Sequence, residues 1–333
     1  MKHGVPLEFD SSPTAAKHIR RLEDIPDIMT MDIPPVEYLV DGMISRKTIT
    51  LWTGSDGAGK TFLMQSMAVA VAVGGQFLGR VCRRAPVLYL DYENPAFAVR
   101  SRLEVIAQGP IPDLGVWGTW LEQQPPQIGN ELLLTIAKDS QPLIIVDPFR
   151  NSHGAEENDS TEMTAVMQNL RYCAAAGCAV IILHHPAKTD GSTGRGSSAI
   201  KGAVDVAYLQ ELSPETGLIT LRSTKNRFGE PIIMTIRPDF EGGRFQVCDS
   251  PEFTKKRDDM LTLRKIIEAC PGVSGRAIRK QWSGTTQRLL ELLRTGVGTH
   301  WDSAPGSNNS INCFPRFGEV RTTAGTTEPL PDE

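Results

Sequence analysis

Cysteine is scarce and unpatterned in this chain. The six cysteines, at 82, 173, 178, 248, 270 and 313, form no Cys-x-x-Cys pair and stand at no zinc-finger spacing from a histidine. That excludes a disulfide framework and a structural zinc site, and leaves reduced, mostly buried thiols. Excess positive charge is also missing. A formal charge of -4 excludes a protein that coats nucleic acid by bulk electrostatics, so any such binding must come from local patches. Long apolar runs are missing too: Met67 to Gly75 and Cys173 to Leu183 fall well short of the ~18 uninterrupted apolar residues of a membrane span. No basic-then-apolar leader opens the sequence, so a soluble, unexported, cytoplasmic protein is expected. At 333 residues there is room for one large domain and one small one.

What is present is concentrated in Gly54-Ser55-Asp56-Gly57-Ala58-Gly59-Lys60-Thr61, between an apolar run (Thr48 to Trp52) and a small-residue stretch (Phe62 to Gly74). Strand, glycine-rich turn and helix in that order are the setting of a phosphate-binding loop. Gly54, Gly57 and Gly59 let the backbone fold tightly enough to aim successive N–H groups at a β-phosphate, and the new helix adds the positive end of its dipole. Lys60 is placed to reach the β/γ-phosphate oxygens and Thr61 to hold Mg2+. ATP and Mg2+ are the expected ligands.

Residues 1–35 mix Pro, Ser and charge without a sustained period, with at most a short helix around Thr14 to Leu22. They read either as a disordered leader or as an arm that docks on a neighbouring subunit. Downstream of the loop, strands are expected at Ala85 to Tyr92, Leu143 to Asp147 and Ala179 to Leu183. Helices are expected at Phe97 to Gln108, Glu131 to Lys138 and Thr161 to Ala176, the last capped by Asp159-Ser160. Continuous apolar strands alternating with helices mark a parallel sheet covered on both faces, whose ligands sit beyond the strands' carboxyl ends. Glu93, Asp147 and His184-His185 all fall there, as does the phosphate loop. Lys188 to Lys201 reads as a long glycine-rich loop. Val204 to Leu212, Leu218 to Ser223, Pro231 to Arg237 and a hairpin within Asp239 to Cys248 read as an antiparallel extension, which completes an α/β domain over residues 36–250.

Beyond Lys256 the composition turns basic. Three helices (Asp258 to Cys270, Ser274 to Trp282, Thr285 to Thr295) and a hairpin candidate with Ser307-Asn308-Asn309 at its tip follow the plan of a winged helix-turn-helix, expected over residues 256–315. Arg276, Arg279, Lys280 and Arg288 are its candidate DNA contacts. Residues 316–333 read as a disordered tail.

Triphosphate hydrolysis needs a cradle, a metal, a group that activates water and positive charge for the transition state. Asp147, after four apolar residues, is the candidate metal-holding carboxylate, with a capping role as its alternative. Glu93 is the candidate base, preferred to Asp91 because it stands at the strand end, with an exposed loop acid as its alternative. His185 is either a γ-phosphate sensor or a satisfied strand-end histidine.

On these pieces, together with Gly196-Ser197-Ser198, residues 36–240 resemble the RecA-like ATPase core of hexameric helicases, and most closely the plasmid RepA-type replicative helicases and their phage and mobile-element relatives. The resemblance implies that Glu93 is the catalytic base and His185 the phosphate sensor. Lys225-Asn226-Arg227-Phe228-Gly229 is similar to the Lys-x-Arg stretch that RecA-fold motors insert into a neighbour's site, which implies that Lys225 and Arg227 act in trans, although from the residues alone Arg-Phe-Gly is also an ordinary hairpin turn. The same likeness makes Lys188 to Lys201 a channel loop in which Lys188, Arg195 and Lys201 grip single-stranded DNA; its alternative is a mobile surface loop. With no aromatic there, binding would be backbone-directed and salt-sensitive. The implied assembly is a homo-oligomer, a hexameric ring.

Overall fold

Successive side chains of a strand point to opposite faces, so an unbroken run such as Leu143-Ile144-Ile145-Val146 demands apolar cover on both sides. The computed structural model describes residues 21–107, 109–184, 195–306 and 311–316 and shows how that demand is met. Six strands lead the chain through its parallel part: β1 (Thr48–Gly54), β2 (Val87–Asp91), β3 (Leu114–Gly118), β4 (Leu143–Asp147), β5 (Ala179–His184) and β6 (Val206–Leu212). Between them lie α1 (Lys60–Val73), α2 (Ala96–Ile106), α3 (Glu131–Ser140), α4 (Ser160–Ala175) and α5 (Arg195–Ala203). β7 (Ile219–Asn226), β8 (Ile233–Asp239) and β9 (Arg244–Cys248) follow. All join one nine-stranded sheet in the order β9-β8-β7-β6-β1-β5-β4-β2-β3. From β6 to β3 the strands run parallel, and β7 to β9 extend the sheet antiparallel. The expected α/β architecture, mainly parallel with an antiparallel extension, is therefore present.

The two faces divide the apolar residues by parity. Leu143, Ile145, Ile181 and Leu183 join α1 residues Leu63, Met64 and Met67 in one cluster. Ile144, Val146, Val180 and Ile182 join Leu133 of α3 and Met163, Met167 and Leu170 of α4 in the other. Each such side chain contributes about 1.5–3 kcal/mol on burial. α1 is buried along most of its length, and its alanines, Ala68, Ala70 and Ala72, let it lie close to the sheet.

Two elements depart from the expectation. β3 lies in a Pro- and Gly-interrupted stretch, Gly109 to Gly118, and pairs with β2 alone at the sheet edge, where a strand tolerates glycine. α5 occupies the second half of the segment expected to be a loop. Its Gly-Ser-Ser composition is poor in helix propensity, but Ile200 is buried in the second cluster and the helix packs on α4, so tertiary burial overrides propensity. The expected arm helix falls mostly outside the described residues; Leu22–Asp24 forms a 3-10 turn.

The C-terminal part comprises α6 (Pro251–Ala269), β10 (Val273–Ser274), α7 (Gly275–Gln281), α8 (Thr286–Gly296), β11 (Trp301–Pro305) and β12 (Ile311–Pro315). Its strands form an antiparallel sheet in the order β10-β12-β11. Leu263, Ile267, Ile278, Leu292 and Trp301 centre an apolar cluster of its own. Trp301, fully buried, donates its indole N–H to Leu293 O at 3.1 Å. The hairpin tip at Ser307 to Asn309 lies outside the described residues. All six cysteines are free, with Cys82, Cys173, Cys178 and Cys313 buried. Among the described residues no helix is long and apolar enough to cross a membrane.

Asp205 fastens several of these elements. Its Oδ2 accepts from Ile49 N at 2.9 Å and from Arg171 at 2.7 Å, and its Oδ1 from Arg227 at 3.2 Å. The carboxylate is 7% exposed while the two arginines are 33% and 52% exposed, so water screens part of the attraction. Asp205→Ala is expected to lower unfolding free energy by about 2 kcal/mol, below the usual cost of breaking a fully buried pair. A urea titration checks this.

Candidate functional site

β1 delivers Gly54 to the carboxyl end of the sheet, and α1 begins at Lys60. Gly59 caps α1 in the left-handed region at φ 80°, which an L side chain adopts only with strain. A Cβ on Gly59 would meet the Phe240 ring at 2.9 Å, and one on Gly54 would meet Gln210 O at 2.5 Å. The loop is thus hemmed by β6 on one side and by the turn after β8 on the other. Gln210, fully buried, accepts from Trp52 Nε1 at 2.8 Å and donates to Ala58 O at 2.6 Å, tying the loop to the sheet. Lys60 Nζ donates to Gly54 O (2.7 Å) and Ser55 O (2.9 Å), which holds the ammonium against the loop. Burial lowers the lysine's pKa, opposed by the carboxylates of Asp56, Asp147 and Glu93.

A cavity of about 660 Å3 opens over this loop, lined by residues 56–62 and by Glu93, Arg102, Asp147, Leu183 and Phe240. Asp147 is the most buried of its acids. Burial raises its carboxyl to a pKa of about 6, against the lowering effect of hydrogen bonds from Tyr89 and Thr61. Tyr89 Oη donates to Asp147 Oδ2 at 2.6 Å, and burial holds the phenol pKa well above its usual range, so it stays a donor. Asp91 stands behind the cavity wall, fully buried. Its Oδ1 accepts from Glu93 N (3.1 Å) and Asn94 N (2.8 Å), building the turn that presents the exposed Glu93. One strand-end acid is thereby spent on backbone, and the other faces the cavity. Thr61 and Asp147 bring two hard oxygens together beside the loop, a donor set that fits Mg2+ sharing its shell with water and phosphate.

The family model for the AAA domain, AAA_25, matches residues 15–191, which include the loop, Glu93 and Asp147. The chain belongs to this AAA domain family. It is also similar to the protein named DNA repair protein RadA of Escherichia coli (strain K12), at 24% identity over 285 residues, covering 81% of this chain and 53% of that protein. The protein of the same name from Salmonella typhimurium is 23% identical over 86% of this chain and 60% of its own length. The chain thus spans little more than half the length of these relatives. Among solved structures, the RadB recombinase shows a TM-score of 0.44 at 16% identity, covering 62% of this chain and 93% of that one.

The other expected residues of this AAA domain protein fall in different places. His185 and Lys188 lie outside the described residues. Arg195 opens α5, and its side chain is likewise outside them; Lys201 is exposed near the helix end. His184 is directed to Glu157, with Nε2 and Oε1 3.0 Å apart. Lys225 Nζ donates to Lys201 O (2.8 Å) and Gly202 O (3.2 Å), capping α5, while Arg227 binds Asp205. By strand register Lys225 is level with Leu51, about 10 Å short of Gly54 at roughly 3.3 Å per residue. Neither residue lines its own cavity. In the C-terminal part, Arg276 and Lys280 are exposed on α7. Arg279, also exposed, bonds Thr286 Oγ1 (2.8 Å) and Trp282 O (3.1 Å), and the half-buried Arg288 pairs with Asp259 at 3.3 Å. These two arginines are engaged within the fold.

Tyr89, Gln210, Arg102 and Phe240 were missed by sequence reasoning. Tyr89 carried a faint signal, two residues before Asp91 on an expected strand; Arg102 lies on the helix that follows Glu93, and Gln210 and Phe240 come from distant segments. Because a protonated carboxyl is no ligand, Mg2+ affinity is expected to fall about tenfold per pH unit below about pH 6. Tyr89→Phe removes a bond that favours the carboxylate, so the fall should begin at higher pH. Calorimetric Mg2+ titrations across pH read both.

Proposed function

We propose that this AAA domain chain is an ATP-driven DNA motor, a RepA-type replicative helicase of a plasmid, phage or other mobile element. The observation that carries the reading is the convergence of Lys60, Thr61, Asp147 and Glu93 on one cavity at the carboxyl ends of parallel strands. Loop N–H groups and Lys60 bind the β- and γ-phosphates, and Thr61 and Asp147 hold Mg2+. The cation, when bound, neutralises charge that develops on the transferred phosphoryl group. Glu93 takes the proton of the attacking water. Phe240, stacked on Phe62 with centroids 5.8 Å apart, offers an apolar wall for the base. His185 senses the γ-phosphate.

Lys225 and Arg227 cannot serve their own cavity, so a role in hydrolysis falls on a neighbouring subunit's triphosphate, in a ring that we infer to be a hexamer. Lys188, Arg195 and Lys201 track the single strand. The similarity to proteins named DNA repair protein RadA supports action on DNA. The three helices and antiparallel sheet of the C-terminal part support a winged helix whose DNA contacts fall on Arg276 and Lys280, with Arg279 and Arg288 buttressing it. That part also favours a second reading, a nucleotide-gated regulator that binds duplex DNA without separating strands.

Single-stranded DNA is expected to stimulate ATP hydrolysis, and Lys60→Ala to abolish both hydrolysis and strand separation. Glu93→Gln should retain ATP binding and lose hydrolysis at least ~100-fold. Hydrolysis indifferent to DNA, or strand separation that survives Lys60→Ala, overturns the motor. Duplex binding without unwinding, lost in Arg276→Ala/Lys280→Ala, selects the regulator. Phe240→Ala should raise KM for ATP about tenfold with kcat little changed, as expected for a contact made equally in ground and transition states.

A further inference from the structure

We propose that the N-terminal arm of one copy docks on a basic, apolar groove in the C-terminal part of a second copy. The arm, residues 21–37, is exposed throughout. It carries Leu22, Ile25, Ile28, Met29, Met31 and Ile33, each 50% to 87% exposed. A folded chain rarely leaves so many large apolar side chains in one segment without a surface to cover them. The segment is also acidic: Glu23, Asp24, Asp27 and Asp32 stand against Arg21 alone within residues 21–36. Pro26, Pro34 and Pro35, with two 3-10 turns, stiffen it, which reduces the entropy lost when it is captured.

A surface of opposite charge lies at the other end of the chain. α6 presents Phe253, Lys256, Arg257, Met260, Leu261 and Arg264 along a groove of about 280 Å3. Its wall holds three cations and no acid, while Phe253 and Leu261 are 58% and 50% exposed. Arg257 and Arg264 engage Asp249 and Glu268 at 2.8 and 2.7 Å in exposed ion pairs, which are weak in water and can be exchanged for incoming carboxylates. The apolar floor selects a peptide over nucleic acid: aliphatic arm residues match Met260 and Leu261, which a phosphate backbone would leave uncovered. Among the described residues the apolar side chains of the arm and of the groove are exposed, and their opposite charge matches the arm of a second copy to the groove. Such a contact links neighbouring subunits without using the nucleotide cavity, Arg276 or Lys280.

The test uses the whole 333-residue chain with Cys248→Ser and Cys270→Ser as background. One preparation carries Met29→Cys and a second Leu261→Cys; the two are mixed, oxidised mildly and resolved on a non-reducing gel. A mixed disulfide dimer, at least fivefold above the self-crosslinking of either preparation and weakened by salt, is the expected result. Glu23→Lys/Asp32→Lys on the arm-cysteine chain should abolish it, and Lys256→Glu/Arg264→Glu on the groove-cysteine chain should restore it. No mixed dimer overturns the proposal, as does a chain carrying both cysteines that closes only on itself, or a charge reversal that is not rescued by its complement.

Discussion

Strands that are buried on both faces leave polar chemistry nowhere to go but their ends, and the site depends on that constraint. β1, β2, β4 and β5 carry apolar side chains alternately into two clusters, and at their carboxyl ends the chain turns polar. The phosphate loop, Asp91, Glu93, Asp147 and His184 are gathered by this one geometric rule, although they lie far apart in sequence. Parallel register then sets who stands beside whom. Asp91 is paired with Asp147, so one acid of this neighbourhood is turned into backbone hydrogen bonds while the other stays available.

Electrostatics at the site follows from depth. Asp147 is deep enough for burial to oppose its ionisation, and Tyr89 and Thr61 offset part of that cost by donating to the charged form. Lys60 is the compensating cation, held by two carbonyls of its own loop. Glu93, in contrast, reaches into solvent at the cavity mouth. A buried carboxylate beside a lysine and a more exposed one nearby are suited to different work, the first to holding a cation and the second to exchanging protons with water.

Lys225 and Arg227 are engaged within the fold of their own chain. Both follow from a strand antiparallel to β6, which carries them toward the amino end of the parallel strands and away from the cavity of their own chain. There Lys225 caps α5 and Arg227 shares Asp205 with Arg171. The helix that follows residues 185–194 is thereby held by the same side chains that the Lys-x-Arg likeness connects with a neighbouring triphosphate.

Much of the architecture was legible beforehand because burial imposes periodicity. The apolar runs announced β1, β2, β4 and β5, and Gly54 to Thr61 announced the turn between β1 and α1. Asp147 and Glu93 were readable as strand-end acids, since position after an apolar run is a property of sequence. β3 escaped because an edge strand is bound on one side only and tolerates the glycines that conceal it, and α5 escaped because its stability lies in packing on α4. By itself the amino-acid order determined the strand-turn-helix unit, the alternation that makes two apolar faces and the local charge of each segment. Tertiary structure alone decided that Tyr89 and Gln210 brace the site, that Phe240 closes it and that Arg279 and Arg288 are engaged within the fold. Those outcomes rest on contacts between residues distant along the chain, and no local pattern encodes a distance.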